Sequence, residues 1–325
     1  MTLYYADPFV LPLPPGHRFP MVKYARLRER LAACGAFRED DFRVPPAATD
    51  ADIRRAHCPD YLGRVVAGSL GAKEIREIGF PWSEAMVERS RRSAGATIAV
   101  ARDALVQGWS ANLAGGTHHA FFDRGEGFCV FNDAAIAARA LQAEAGLARV
   151  AVIDCDVHQG NGTAAILRGD DSVFTFSIHG ARNFPFAKEA SDLDIELADG
   201  TGDEEYLWHL ERGLDETLER SNPQLAIYLA GADPYVGDRL GRLALSKDGL
   251  ASRDGYVLDT LRADGVPAAI AMAGGYAEDI DDIVDIHFAT VRLALSGSGI
   301  AGRARLSPCS PTTPSSSPTR ARSPG

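Results

Sequence analysis

The sequence has few cysteines and no long apolar run, and both absences limit what the protein can be. Its five cysteines are scattered over 325 residues, and no two of them stand in a C-x-x-C spacing. We therefore expect neither a disulfide framework nor a zinc ribbon, and this usage fits a reducing cytoplasm. No uninterrupted apolar stretch reaches the roughly 18 residues of a membrane span, and the N terminus lacks a basic segment followed by an apolar one. We expect a cytoplasmic protein that neither enters a membrane nor is exported.

Basic residues are outnumbered by acidic ones, 34 against 44, so the formal net charge is −10 at pH 7. A nonspecific grip on nucleic acid needs a basic face, so we expect no direct nucleic-acid binding. An acidic surface is compatible with cationic substrates such as lysine side chains. The apolar fraction of 46% is ample for a substantial core. Nothing in the sequence indicates the oligomeric state.

Strand-like and helix-like segments alternate along most of the chain. We predict strands over residues 110–114, 150–154, 172–178, 224–230 and 267–273. We predict helices over residues 21–34, 49–66, 83–107, 131–145, 204–220, 247–264 and 279–295. This alternation predicts one α/β domain over residues 1–302, with a mostly parallel sheet and helices on both faces. Residues 303–325 are rich in proline and serine, so we predict a low-complexity disordered tail there.

The segment at residues 150–163, VAVIDCDVHQGNGT, is the centre of the chain. It starts as an apolar run and continues into glycines, as a buried strand of a parallel sheet does. Asp154, Asp156 and His158 would face the same side if the extended geometry continued past the strand. Two carboxylates are costly to bury side by side unless a cation lies between them. We interpret the segment as a metal site, and the alternative is that the aspartates only cap the following helix.

Ionisable residues beside glycines follow three other predicted strands. His118 and His119 follow one, Asp233 another and Tyr276 the third. In an open parallel sheet the binding crevice forms at the carboxyl ends of the strands. These strand ends therefore predict a single shared site.

The residues of this site have the chemistry of a catalytic metal centre. Asp156, His158 and Asp233 would supply three ligands and leave a position open for water, as at a catalytic zinc. Such a metal lowers the pKa of its water to about 7 and polarises a carbonyl. Ferrous iron suits the same ligands, so we predict zinc with iron as the alternative.

The remaining polar residues would complete the hydrolysis of an amide. His118 and His119 can take a proton from water and return it to a leaving amine. Tyr276 can donate its hydroxyl to the oxyanion of a tetrahedral intermediate. Asp154 and Asn161 would hold the two histidines and decide which ring nitrogen carries the proton.

With these residues the sequence resembles the histone deacetylase family, which has the three-layer α/β/α arginase/deacetylase fold. Five motifs in the family's order carry the resemblance: GGTHHA at 115–120, GFC at 127–129, DCDVHQGNGT at 154–163, AGADP at 230–234 and GGY at 274–276. The resemblance assigns the metal and catalytic roles to the same residues as the chemistry above. It implies a zinc-dependent amidohydrolase that removes acetyl or other acyl groups from lysine side chains of proteins. Acetylpolyamines and other small acyl-amines are the alternative substrates on this fold.

The resemblance also implies roles for residues that the chemistry alone does not single out. Phe128, beside Gly127, matches one wall of the channel that receives the acyl-lysine stem, and Phe184 the other wall. Asp154 and Ser177 match the family's structural potassium site.

Two positions depart from the pattern of many members. Gln159 stands where most members have a second histidine, which makes the segment similar to class IV deacetylases and their bacterial relatives. Ala273 stands where many have a glycine, and we expect it to stiffen the tyrosine loop.

Two functions of other classes compete with this interpretation. Asp154-Cys155-Asp156 after an apolar strand also suits a magnesium-dependent aspartyl phosphatase with Asp154 as the nucleophile. That scheme leaves the two histidines and Tyr276 without a role. A binding protein that has lost catalysis is the other alternative, although every chemical position is filled.

Overall fold

Within residues 1–296, eight strands form one sheet in which every pairing is parallel. The computed structural model describes residues 1–296, so the predicted tail lies outside the described residues. The strands are β1 (Thr2–Tyr4), β2 (Phe42–Arg43), β3 (Trp109–Asn112), β4 (Val150–Asp154), β5 (Val173–Gly180), β6 (Leu193–Leu197), β7 (Leu225–Leu229) and β8 (Ala268–Ala271). Their order across the sheet is β2-β1-β3-β8-β7-β4-β5-β6. The predicted parallel α/β architecture is confirmed.

Ten α-helices cover this sheet in the described part of the chain. They are α1 (Val22–Ala33), α2 (Asp50–Ile53), α3 (Pro59–Ala67), α4 (Ala72–Ile78), α5 (Glu84–Gln107), α6 (Asp133–Ala145), α7 (Asn161–Leu167), α8 (Asp203–Ser221), α9 (Lys247–Ala263) and α10 (Ile280–Ser296). Over residues 1–296, none of the helices is long and apolar enough to cross a membrane.

The central strands bury both of their faces. In β4, Val152 packs with α5 and α6 in one hydrophobic cluster, while its neighbour Ile153 packs in another cluster with α1, α8, α9 and α10. Ile227 and Tyr228 divide between the two clusters in the same way in β7. Because side chains alternate across a strand, a sheet covered on both faces needs a continuous apolar run, and the central strands have one.

The predicted helix over residues 49–66 is wrong as a single element. The structure has α2 and α3 there, and the chain between them is not helical. The cause is Pro59, because a proline disfavours the helical conformation of the residue before it. Cys58 is accordingly extended, with φ −69° and ψ 146°, and Pro59 opens α3 at its first position.

The strand order brings the predicted site together. Strands β3, β8, β7 and β4 are consecutive in the sheet. The segments that follow them carry the two histidines, Tyr276, Asp233 and the Asp156 segment respectively. All of these side chains therefore meet at one edge of the sheet, over its carboxyl ends.

Candidate active site

Asp156, His158 and Asp233 form a buried cluster. One ligand atom from each lies within 4.8 Å of the others. His158 Nδ1 is 3.0 Å from Asp156 Oδ1 and 3.2 Å from Asp233 Oδ2. The extended geometry considered in the sequence analysis does not continue this far, because β4 ends at Asp154. A bend after the strand, with His158 N donating to Asp156 Oδ1 at 2.9 Å, turns both ligands towards Asp233.

The cluster fits a divalent cation. Asp233 Oδ2 is buried and accepts no hydrogen bond among the described residues. Burial and the facing Asp156 carboxylate raise the pKa of Asp233 to about 7. A Cβ atom on Gly274 would lie 2.0 Å from Asp233 Oδ2 and 2.5 Å from Asp156 Oδ2, so only glycine lets the chain close over the carboxylates. Two buried carboxylates with a free oxygen and an imidazole nitrogen are a suitable donor set for zinc or ferrous iron.

The two histidines lie side by side next to this cluster, and their ring centroids are 4.1 Å apart. His118 Nδ1 lies 2.7 Å from Asp154 Oδ2, and its Nε2 is 3.9 Å from Asp156 Oδ1. His119 Nδ1 lies 2.7 Å from Asn161 Oδ1. Each histidine therefore turns the Nδ1 side of its ring towards a buried polar side chain.

The electrostatic environments of the two histidines differ. Burial lowers the pKa of His118, but the Asp154 and Asp156 carboxylates outweigh it and raise the pKa to about 9. Burial and the neighbouring His118 and His158 lower the pKa of His119 well below its ordinary value. One histidine thus favours the charged form and the other the neutral form, as an acid and a base of a proton-transfer pair would.

Aromatic side chains enclose the same space. The Tyr276 ring is 6.5 Å from that of His158 and 6.0 Å from that of Phe128. The Phe184 ring lies 4.9 Å from His119. Gly127 packs closely against His119 and Phe184, because a Cβ atom on Gly127 would lie 2.6 Å from His119 and 3.1 Å from Phe184. The residues predicted as channel walls therefore flank the predicted catalytic residues.

The Histone deacetylase domain model matches residues 17–291 of the chain. The chain belongs to the histone deacetylase family. It is 43% identical over 286 residues to an uncharacterized protein of Picosynechococcus sp., and the match covers 88% of this chain and 95% of that protein. It is 32% identical to histone deacetylase 2 of Arabidopsis thaliana, over 80% of this chain and 70% of the relative. The crystal structure of an HDAC homolog from Aquifex aeolicus has the same fold, with a TM-score of 0.78 at 23% identity over 90% of this chain and 83% of that one.

Within this deacetylase fold, the loop that carries Tyr276 is held from both sides. Asp238 Oδ2 accepts the Tyr276 backbone N–H at 2.5 Å, and Arg239 Nε donates to the Tyr276 carbonyl at 2.9 Å. Ala273 has a φ of 54°, a conformation that favours glycine. A Cβ atom on Gly116 would come within 2.4 Å of the Ala273 Cβ, so the histidine loop and the tyrosine loop are closely packed.

Asp154 and Ser177 lie opposite each other in the register of β4 and β5, and both are buried. Asp154 Oδ1 accepts the Asp156 N–H at 3.1 Å, while Ser177 Oγ lies 2.9 Å from His179 Nδ1. The two residues that the resemblance implies as a potassium site are therefore buried neighbours, and Asp154 is hydrogen-bonded to the backbone of Asp156.

Three polar residues that the sequence motifs do not indicate support this site. Arg253, fully buried in α9, donates from one nitrogen to the carbonyls of Cys155, at 3.1 Å, and of Gly231, at 2.6 Å. Arg253 thereby links the backbone of the segment that carries Asp156 to that of the segment that carries Asp233. Asp238 anchors the tyrosine loop, as described above, and Glu126 contacts Asn161 Nδ2 at 3.2 Å. The only sequence signal for Arg253 is a charged Arg-Asp pair inside an otherwise apolar face, and Glu126 gives none.

Proposed function

We propose that this histone deacetylase family member is a metal-dependent hydrolase that removes acetyl or other acyl groups from lysine side chains of proteins. The observation that carries the proposal is one pocket lined by His118, His119, Tyr276 and two members of the Asp-His-Asp cluster, Asp156 and His158, with the third member, Asp233, buried beside them. In a reducing cytoplasm, where we place the protein, its scattered thiols would stay free.

Asp156, His158 and Asp233 would hold the ion, which we propose to be zinc, with ferrous iron as the alternative. Bound there, a divalent ion would activate water and polarise the acyl carbonyl. We also propose that Asp154 and Ser177 contribute to a structural potassium site. A cation behind the ligands would offset the carboxylates buried at this edge of the sheet.

The remaining residues then have distinct tasks. His119, kept neutral by its surroundings, takes the proton of the attacking water. His118, whose pKa is raised to about 9, holds a proton that it gives to the departing lysine amine. The Tyr276 hydroxyl donates to the oxygen that becomes negatively charged in the transition state. Asp154 and Asn161 orient the two imidazoles through their Nδ1 atoms.

The channel walls suit the methylene stem of a lysine. Phe128 and Phe184 present aromatic surface beside the catalytic groups, and Gly127 has no side chain to fill the space beside His119 and Phe184. A long aliphatic stem can lie between apolar walls while its amide reaches a polar end. Small acyl-amines such as acetylpolyamines also have such a stem, and they remain the second candidate substrates.

We also propose, from Gln159, that the chain is closest to class IV deacetylases and their bacterial relatives. Its amide donates to Asp194 Oδ1 at 2.9 Å and to the Glu189 carbonyl at 2.6 Å, and it accepts the Glu189 N–H at 2.8 Å. An amide can donate and accept at its two ends in this way, and so it joins both Glu189 and Asp194 of β6 to the segment that follows β4.

The contacts of Asp154 weigh against the phosphatase alternative. Its carboxylate is 3% exposed and is engaged by His118 on one oxygen and by the Asp156 N–H on the other. A nucleophile needs an oxygen that faces the substrate, whereas both oxygens of Asp154 face buried groups of the protein.

The test compares kcat/KM for acetyl-lysine peptides, longer acyl-lysine peptides and acetylpolyamines, with enzyme loaded with zinc or ferrous iron. We expect turnover of acyl-lysine peptides, loss of activity with strong chelators and strong inhibition by a hydroxamate. Preference for acetylpolyamines would reassign the substrate to the second candidate. Failure to cleave any acyl-amine with either metal, or a beryllofluoride adduct on Asp154, would contradict the proposal.

A further inference from the structure

The two catalytic histidines are oriented by partners of different chemistry. His118 Nδ1 faces the carboxylate of Asp154, which has only acceptor atoms when ionised. That carboxylate obliges His118 to carry a proton on Nδ1. His119 Nδ1 faces the side-chain amide of Asn161, which has an acceptor oxygen at one end and a donor nitrogen at the other. An amide by itself permits either tautomer of the imidazole, because it can turn either end towards the ring.

Glu126 supplies the missing constraint. Asn161 Nδ2 lies 3.2 Å from Glu126 Oε2, and the two side-chain hydrogen bonds of Asn161 in the described chain are those to Glu126 and His119. An ionised carboxylate only accepts, so the NH₂ end of the amide has to face Glu126. The oxygen end then faces His119 Nδ1, which must carry the proton. The lone pair of His119 is thereby left on Nε2, on the opposite edge of the ring.

The backbone around Glu126 is fixed well enough to impose this orientation. Glu126 N donates to the Cys129 carbonyl at 3.1 Å, and Cys129 N donates back to the Glu126 carbonyl at 2.9 Å. The two residues between them are tied to the end of α4, since Gly127 N donates to the Glu77 carbonyl and Phe128 N to that of Ile78. This tight turn carries both the channel residue Phe128 and the carboxylate.

We propose that Glu126 is a positioning residue that selects the tautomer of His119 by fixing the orientation of the Asn161 amide. The proposal rests on the proposed function for its kinetic consequence, because a base needs its lone pair on Nε2. The selection of the tautomer itself is a property of the hydrogen bonds and holds whatever the substrate is.

The variant that tests the proposal is Glu126→Gln. A glutamine of nearly the same shape can donate as well as accept, so it no longer dictates which end of Asn161 faces His119. Two-bond proton–nitrogen NMR spectra of ¹⁵N-histidine-labelled enzyme report the tautomer directly. Because burial raises the pKa of Glu126 above that of an ordinary carboxyl group, the spectra are recorded at about pH 8 to keep this carboxylate ionised. Loss of a signal in His119→Phe assigns the residue. We expect the Nδ1–H form in the wild type and a mixture of tautomers in the variant.

We expect Glu126→Gln to lower kcat by about tenfold. A positioned proton-transfer group contributes roughly 10²- to 10⁴-fold to the rate, and the variant should lose only part of this contribution. KM and bound metal should change little, because the Glu126 carboxylate contacts Asn161, which is not one of the cluster residues Asp156, His158 and Asp233, and the substitution leaves the backbone of the turn unchanged. The matched control is Glu77→Gln, which removes a neighbouring carboxylate that pairs with Lys73, and it should leave the tautomer and kcat as in the wild type.

A double variant separates this role from a merely structural one. In Asn161→Asp with Glu126→Gln, residue 161 is itself acceptor-only, and a glutamine at 126 can donate to it. We expect the Nδ1–H tautomer of His119 to return. If Glu126→Gln alone keeps both the wild-type tautomer and the wild-type kcat, the proposal is overturned. A tautomer shift in an enzyme that cleaves no acyl-amine would instead support the orientation by Glu126 and contradict the proposed function.

Discussion

Replacing Tyr276 with phenylalanine is the most direct test of the oxyanion donor. The ring is 8% exposed and packs near Phe19, Phe128 and His158, at centroid distances of 6.2, 6.0 and 6.5 Å. Its backbone N–H and carbonyl bind Asp238 and Arg239, and phenylalanine keeps both bonds. The variant therefore removes one hydroxyl and leaves the loop in place.

The expected cost is that of one lost oxyanion donor, about 10²- to 10³-fold in kcat, or roughly 2.7–4 kcal/mol of transition-state stabilisation. KM and metal content should stay near the wild-type values, because the hydroxyl acts on charge that appears only in the transition state. Steady-state kinetics on the best acyl-amine substrate, with elemental analysis of the same preparation, measures both quantities.

The matched control is Tyr256→Phe on α9, where the hydroxyl lies 3.5 Å from Asp215 and the side chain does not line the pocket of the candidate site. We expect its kcat to be unchanged. If Tyr276→Phe retained near-native turnover on every substrate that the wild type cleaves, Tyr276 would be only an aromatic that closes a glycine-rich loop. The proposed mechanism would then have to be abandoned.

Three further variants probe the rest of the site. Asp233→Asn should lose the stoichiometric metal, measured by elemental analysis, while the metal-free protein stays folded, because burial and Asp156 already raise the pKa of Asp233 and so favour a neutral group there. His119→Ala should lower kcat at least as much as Tyr276→Phe with metal retained, since it removes proton transfer. Arg253→Met should lower the free energy of unfolding by about 3–5 kcal/mol, because it leaves Asp254 buried beside an uncharged side chain. Denaturant titration measures the free energy of unfolding of Arg253→Met and of the surface variant Arg220→Met. An equal loss of unfolding free energy in the two variants would contradict the role given to Arg253.

The parts of the fold that follow from local pattern could be predicted from the sequence. β4 and β7 are buried on both faces, and their apolar runs show it directly. By contrast, β2 has only two residues and β6 has a mostly half-buried sequence, LDIEL, at the edge of the sheet. Such edge strands are stabilised by pairing with a neighbour, which leaves little mark on their own sequence.

Part of the candidate site could likewise be predicted from local sequence, and part could not. Asp156, Asp233 and Tyr276 each follow a strand end beside glycines, so their place at the sheet edge could be predicted from the chain alone. Which strand ends are neighbours depends on the order β3-β8-β7-β4, and that order is set by packing between segments far apart in sequence. The strand ends are nevertheless predicted to share one site, because their residues suit a single reaction. One shared site explains this more simply than four separate sites.

The orientation of the side chains is encoded differently from their position. Arg253 reaches a carbonyl 98 residues away, and Glu126 reaches an amide 35 residues away. Neither contact has a local signature, since a lone charged residue in a helix or a turn usually lies on the surface. Two chains with the same five motifs can therefore place the same ligands and histidines and still differ in the tautomer of the base. In this chain a half-buried glutamate outside those motifs makes that choice, so the catalytic rate should depend on a residue that the five motifs do not include.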